Sequence, residues 1–347
     1  MQRHALGIFA GALVALDGLV IVMSRIAMLD IIAAAHISLA ITLVADRRRI
    51  QADTSRFGSL YPSIISRYSN QLAAVLLGAA VATKWSAVPA LVATGAITII
   101  RSVRSPTLTS RRRCLSSGVA TFVLIPAIVY VAAHGAWIAN YEETQTGRER
   151  CSSEPCDSGI EEISRGFVLE QTSKVRFQDA LVISHPDRSS ALSWPVLARP
   201  VLSYFEACGT DSSCADQPGK TKRVVGIGNI VVWVVSLVSV GAIFAGLIRR
   251  RWWASIDPIA MVIAQWLPWV FAPNPGFLFY MTPVVPFMAM ATGIAALSIR
   301  SSKVQRRTAL VVVASACATC VVYYPLWTAL PLSPTQVDLR LPVDSWR

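Results

Sequence analysis

Apolar residues fall in nine blocks along the chain: Ala5 to Met23, Ile26 to Ala45, Gln71 to Thr83, Ser86 to Ile100, Ser117 to His134, Val224 to Ile248, Ile256 to Ala272, Phe277 to Ile299 and Ala309 to Leu330. Most come close to the roughly 20 helical residues that cross a hydrocarbon layer of about 30 Å. Lipid offers the backbone no hydrogen bonds, so each block is expected to cross as a helix. The pattern predicts an all-α integral membrane protein in four parts. Residues 1–134 hold five membrane segments, 135–223 form one large polar loop, 224–330 hold four more segments, and 331–347 are a tail. The blocks at 71–83 and 86–100 are short for a full crossing. Basic residues flank the pair on both sides, so the chain must return to the side it left. Two short spans meeting at Lys84 and Trp85 satisfy that, and so does a re-entrant hairpin. Gly7 and Gly11 put small residues on one face of the first block, which suits close helix packing.

Composition agrees with the blocks. The 347 residues are 54% hydrophobic and only 15% charged, against about a quarter charged in soluble domains. A net charge of +12 in a soluble protein would point to nucleic acid, but the placement of the cations excludes it. They gather in short connections: Arg47, Arg48, Arg49, Arg56 and Arg67; Arg101, Arg104 and Arg111 to Arg113; Arg249 to Arg251; and Arg300, Lys303, Arg306 and Arg307. By the positive-inside bias these are cytoplasmic. Residues 135–223 carry ten Lys or Arg against thirteen Asp or Glu, the balance of a segment that has crossed. The expected placement is a multi-pass plasma-membrane protein, with the N-terminus inside and the large loop and C-terminus outside.

Four of the seven cysteines, Cys151, Cys156, Cys208 and Cys214, lie in the outer loop, where an oxidising compartment permits disulfides. Four cysteines allow three connectivities. Their spacing does not read as a zinc site, and no metal is assigned.

Charged residues within or beside membrane helices are costly and are candidates for function. Asp17, Arg25, Asp30 and Lys84 qualify. In the expected topology Arg25 and Lys84 sit at outer helix ends and Asp30 lies near Arg25. Two cations there suit a lipid phosphate, one as a planar fork of donors and the other as a point charge. Snorkelling to the headgroups accounts for them equally well. Asp30 fits an ion pair with Arg25 as readily as a catalytic role. The loop also carries His185, within Ser184-His185-Pro186, then Trp194-Pro195, Arg199-Pro200 and Tyr204. This stretch is too proline-rich for a long helix and suits a membrane-boundary cap or a substrate groove. Gly226-Ile227-Gly228-Asn229 lacks the third glycine and the preceding strand of a dinucleotide site.

The order of several motifs resembles the protein O-mannosyltransferase family, polyprenyl- or dolichyl-phosphate-mannose-dependent enzymes of the GT-C type. These are Leu16-Asp17-Gly18 running into Ser24-Arg25-Ile26-Ala27-Met28-Leu29-Asp30; Thr83-Lys84-Trp85-Ser86; and Ser184-His185-Pro186 with Ser193-Trp194-Pro195 and Arg199-Pro200. Gly226-Ile227-Gly228-Asn229 with Trp233, Trp266-Leu267-Pro268-Trp269, and Phe279-Tyr280-Met281-Thr282-Pro283 complete the order. The resemblance implies a GT-C-like multi-span helical bundle and inverting transfer of mannose from polyprenyl-phosphate-mannose to Ser or Thr of exported proteins. It also implies contact with the export machinery, and no cofactor beyond the lipid-linked donor substrate. Arg25 and Lys84 would contact the phosphate, with Trp85 beside the lipid and Asp30 as organiser and stand-in base. His185 and Arg199 remain substrate-binding candidates. The family's acidic Asp-Glu pair has no counterpart in this sequence. The nine blocks match the family's last nine of eleven spans, so the reading expects an incomplete chain that inserts but does not turn over alone. Asp187 replaces a usual tyrosine, and Asn274-Pro275-Gly276 stands where an arginine is common. The alternatives are an inactive remnant or assembly subunit of the same fold, or a GT-C transferase with a lipid acceptor.

Overall fold

The computed structural model describes residues 3–53, 60–103, 108–151, 159–180, 184–248, 256–272, 274 and 276–346. Arg56, Arg104, Cys156, Arg249 to Arg251 and Pro275 lie outside these residues, as do the side chains of Arg47 to Arg49, Arg67, Arg111 to Arg113 and Cys114.

The first apolar block is two helices, not one: α1 (Arg3–Ala15) and α2 (Gly18–Arg25) meet at a bend of 62°. The break has a local cause. Asp17 takes an extended conformation and its Oδ1 accepts from Leu19 N and Val20 N, capping α2, as short acidic side chains do at helix N-termini. Gly18 is required there because a Cβ would sit 2.1 Å from the Trp327 indole and 2.5 Å from Ile227 O.

The chain continues through α3 (Leu29–Asp53), α4 (Leu60–Thr83), a 3-10 turn at Trp85–Ala87, α5 (Val88–Val103) and α6 (Leu108–Ala133). Helix α4 is far longer than the thirteen-residue block inside it, because the polar run Arg67-Tyr68-Ser69-Asn70 stays helical. Helix α3 packs on α4, α4 on α6, and α5 on α6. After the loop come α10 (Ile230–Ile248), α11 (Ile256–Val270), a 3-10 turn at Leu278–Met281, α12 (Val285–Ala296) and α13 (Ser302–Trp327). Helix α12 packs on α1, α10 and α11, and α11 also touches α5, joining the two halves. Helices Ser116–Ala133, Ile230–Ile248 and Ser302–Trp327 are each long and apolar enough to cross a membrane, and the bent pair α1–α2 qualifies as one span. Leu29–Ala45, Trp85–Arg101, Ile256–Val270 and Val285–Ala296 are shorter apolar helices. Large apolar side chains such as Val123, Leu124, Ile128, Val238 and Val321 are exposed on the bundle's outside, where lipid is the natural solvent.

Close packing uses glycines other than those expected. Nothing lies within 4 Å of a Cβ built on Gly7 or Gly11, whereas one on Gly78 would be 2.8 Å from Pro126 Cα.

The polar loop is ordered by its own elements. It contains α7 (Gly135–Ala139), α8 (Gln145–Cys151), α9 (Ile160–Ala180), a 3-10 strap at Ala191–Val196, and the antiparallel pair β1 (Val201–Ala207) and β2 (Thr221–Gly226). The first residues of the sixth apolar block, Val224 to Gly226, are therefore strand. In the tail, helix α14 (Pro334–Arg340) starts from a capping box formed by Ser333 and Gln336. The tail touches the loop: Thr221 and Leu332 form a two-way main-chain bridge, and Ser345 Oγ donates to Ala198 O. Loop and tail therefore occupy the same end of the bundle.

Candidate functional site

Asp30 lies in the first turn of α3 and Lys84 follows the last turn of α4. Each charge stands where the adjacent helix dipole favours it, the acid at an N-terminus and the base at a C-terminus. Their meeting is the central contact of this end of the bundle. Lys84 Nζ donates to Asp30 Oδ1 at 2.8 Å and to Oδ2 at 2.7 Å. The Asp30 side chain is 2% exposed and that of Lys84 25%, so the carboxylate is sealed while the lysine side chain is partly exposed. Asp30 thus pairs with Lys84 and not with Arg25, the partner that the sequence offered as one alternative. Arg25 is exposed and its Nη1 donates to Trp327 O at 3.1 Å, across the last turn of α13.

Aromatic rings stand over the ammonium. Nζ is 4.6 Å from the Tyr280 centroid and 5.6 Å from that of Phe279, within cation–π range. Tyr280 stacks on Trp269 at 4.2 Å, and Trp194 meets Tyr280 edge-on at 5.9 Å. Gly276 makes this wall possible, since a Cβ there would come 2.8 Å from Tyr280 and 3.0 Å from Trp194. The strap is fixed to the wall: Ser189 N donates to Gly276 O, Trp194 Nε1 to Ser189 Oγ, and Trp266 Nε1 to Ala191 O.

The other sequence candidates fall around this cluster. Trp85 is 41% exposed and its Nε1 donates to Tyr130 Oη, which donates to Gln171 Oε1, tying the Lys84 turn to α6 and α9. His185 is exposed and meets Phe277 edge-on at 5.5 Å. Arg199 donates to Pro186 O and so braces the strap. Asp187 Oδ2 accepts from Leu202 N at 2.8 Å, fixing the start of β1. Cys208 and Cys214 form a disulfide, and Cys151 is also disulfide-bonded.

Asp17 belongs to the bundle rather than to this cluster. Fully buried, it accepts from Leu19 N, Val20 N, Asn229 N and Trp233 Nε1, and Asn229 Nδ2 donates to Leu16 O and Ala316 O. The Gly226-to-Trp233 motif is thus the other half of the Asp17 break.

Sequence reasoning missed Tyr130, Gln171 and the roles of Phe279 and Tyr280. A signal existed for the last two, since consecutive aromatics stand just ahead of Pro283 and Pro286, which favour a helix start over a helix interior. Outside the spans, Arg150 and then Tyr141 hold the Glu162 carboxyl down at about 2, and this contact clamps α8 to α9.

Comparison with known proteins gives a consistent picture. Residues 1–139 match the family model described as dolichyl-phosphate-mannose-protein mannosyltransferase. The polyprenol-phosphate-mannose–protein mannosyltransferase of Mycolicibacterium smegmatis strain MKD8 is 29% identical over 98% of this chain and 72% of its own length. The protein of the same description from Mycobacterium tuberculosis strain H37Rv is 29% identical over 98% of this chain and 71% of its own. The structure of the S. cerevisiae protein O-mannosyltransferase Pmt1-Pmt2 complex bound to the sugar donor has a TM-score of 0.78 at 11% identity, covering 99% of this chain and 77% of that one. The fold is therefore the GT-C bundle expected from the motifs, and the chain is a membrane protein.

Proposed function

Since the chain is related along nearly its whole length to the protein O-mannosyltransferases, we propose that it serves the transfer of mannose from a polyprenyl-phosphate donor to Ser or Thr hydroxyls of exported polypeptides. The observation that carries the siting is the Lys84 ammonium, held by both oxygens of Asp30 beneath Tyr280 on a side chain that is one quarter exposed.

In this reading Lys84 meets the phosphate as it departs, where a fixed cation stabilises developing charge. Asp30 is a positioning residue. Both its oxygens are engaged by one ammonium and its side chain is sealed, so it holds Lys84 in place and is poorly placed to take an acceptor proton. Arg25, at the end of α2, is the second phosphate candidate. Trp85, with the Trp269–Tyr280 stack, offers flat apolar surface to the lipid or sugar. His185 and Arg199 shape the strap that borders the site. The displacement is inverting: the acceptor oxygen bonds to the anomeric carbon as its bond to the phosphate oxygen breaks, and the hydroxyl proton passes to a base other than Asp30.

The topology is part of the proposal. The N-terminus and arginine-rich connections face the cytoplasm, residues 135–223 and 331–347 face outward, and residues 1–134 and 224–330 span the plasma membrane. The shared end of loop, tail and Lys84 supports this arrangement. An acceptor that reaches the site while crossing would bring the export machinery alongside.

The test is a gene deletion complemented by the whole locus, with any in-frame sequence upstream of this chain, either unchanged or carrying Lys84→Ala. Mass spectrometry of exported proteins should show mannosylated Ser and Thr restored by the wild type and not by the variant at equal abundance. Unchanged exported proteins together with loss of a mannosylated lipid would replace the protein acceptor with a lipid one. No change in either would reduce the chain to a structural subunit.

A further inference from the structure

Strand β1 has an open edge. Among the described residues the sheet has two strands, paired Phe205↔Arg223, Glu206↔Lys222 and Ala207↔Thr221. Cys208 N donates to Lys220 O at 2.9 Å, which fixes the alternation. Main-chain groups of Tyr204 and Glu206 turn toward β2 and those of Phe205 and Ala207 turn away. Among the described residues, no main-chain group outside the sheet meets Phe205 or Ala207. The outer side of β2 is different, because Thr221 there exchanges both hydrogen bonds with Leu332.

The edge is rigid and exposed. The Cys208–Cys214 disulfide closes the hairpin end, and Glu206 accepts from Ser213 N and Oγ. Leu202, Tyr204 and Phe205 are 38%, 44% and 51% exposed, with no lysine or proline among the strand's seven residues to discourage pairing, the usual protection of a free edge. Its start is set by Asp187, whose carboxylate closes the Leu202 N–H and which lies two residues from His185, packed on the Phe277–Tyr280 wall over Lys84. The edge therefore runs outward from the proposed reaction site.

We propose that β1 receives an extended stretch of the acceptor polypeptide as a third strand, bonded through its main chain to Phe205 and Ala207. The inference rests on the protein-acceptor reading above and says how that acceptor is held. Strand addition reads main chain rather than sequence, which suits a site that must accept many exported polypeptides sharing only a hydroxyl. At about 3.3 Å per residue, a guest of roughly six residues would cover the edge.

The test uses the detergent-purified full chain and a fluorescent peptide with a single Thr, followed by anisotropy. Backbone N-methylation of the peptide at alternate residues removes donors in one of two registers. One register should bind about tenfold more weakly and the other like the parent, because only every second N–H of a guest strand faces the sheet. Phe205→Pro should weaken the parent peptide similarly, and the N-methyl series on the unchanged protein covers a misfolded variant. Equal binding of both methylated series, or equal loss in both, overturns the proposal. So does a concentration-dependent dimer that the peptide fails to dissociate, since a second copy would then hold the edge. Register-dependent binding by the purified chain, together with exported proteins that stay unmannosylated in the complemented deletion strain, would refute the assigned reaction while leaving the docking edge standing.

Discussion

Breaking the Lys84–Asp30 pair from its two sides should have unequal costs. Removing one partner of a buried ion pair costs about 3–5 kcal/mol because the other charge is stranded. Here the two charges are not equally buried. Lys84→Met strands a carboxylate whose side chain is 2% exposed and has no route to water, so its cost should be near 3 kcal/mol. Asp30→Asn leaves the charge of a lysine whose side chain is 25% exposed and which keeps one acceptor oxygen and the Tyr280 face. Solvent screening should cut that cost to about 1–2 kcal/mol. The double variant should then lose clearly less than the sum of the two. The measurement is denaturant unfolding of the four proteins in one detergent, read as a double-mutant cycle. Asp30→Asn should also weaken binding of the lipid donor with little change in binding of an acceptor peptide, since its effect passes through the placement of Nζ. Additive losses, or Asp30→Asn costing more than Lys84→Met, would refute the geometry on which the site is built.

Asp17→Asn should destabilise by about 2 kcal/mol although it is nearly isosteric, because all four partners of Asp17 are donors and the new amide group meets two of them donor to donor. Thermal unfolding in detergent checks this, and a shift within error would mean that the break is not held through Asp17. The α8–α9 clamp should be pH-dependent with a definite sign. The Glu162 carboxyl lies at about 2 against an ordinary 4.5, so its stabilisation is complete above 4.5 and is lost as pH falls toward 2. Hydrogen exchange over residues 145–151 and 160–177 should be flat from pH 7 to 5 after correction for intrinsic rates and rise only below that, and loosening that begins near pH 6 would point to another group.

Membrane segments were legible because lipid imposes one rule on every stretch of backbone. A stretch such as Ile230 to Ile248 needs no partner to declare itself helical. The misreadings came where a local contact overrides hydropathy. The Asp17 cap and the Trp327 ring against Gly18 bend a continuous apolar block. The bridge to Leu332 and the pairing with β1 make Val224 to Gly226 a strand, although their side chains read as the start of a span. Hydropathy reports what a side chain avoids, whereas the bend and the strand depend on which donors and acceptors reach it.

The site shows the same limit more sharply. Arg25, Asp30 and Lys84 stood out because a charge beside a membrane helix is expensive wherever it points. Their pairing could not be read from spacing. Arg25 and Asp30 are neighbours in sequence, yet Ala27 has a φ of 52°, so the chain turns between α2 and α3 and the two side chains leave on different paths. Asp30 instead begins a helix beside the end of α4, to which α3 packs along its length. That antiparallel hairpin brings an N-terminal acid to a C-terminal base over a separation of 54 residues. The dipoles of the two helices favour this pairing before any side chain is considered. A charged residue one or two positions beyond a helix end is therefore best matched with the helix that packs against its own, not with the nearest opposite charge in sequence. By the same rule Arg25, just within the end of α2, goes to the carbonyl end of α13 at Trp327, because α13 is the helix that packs on α2.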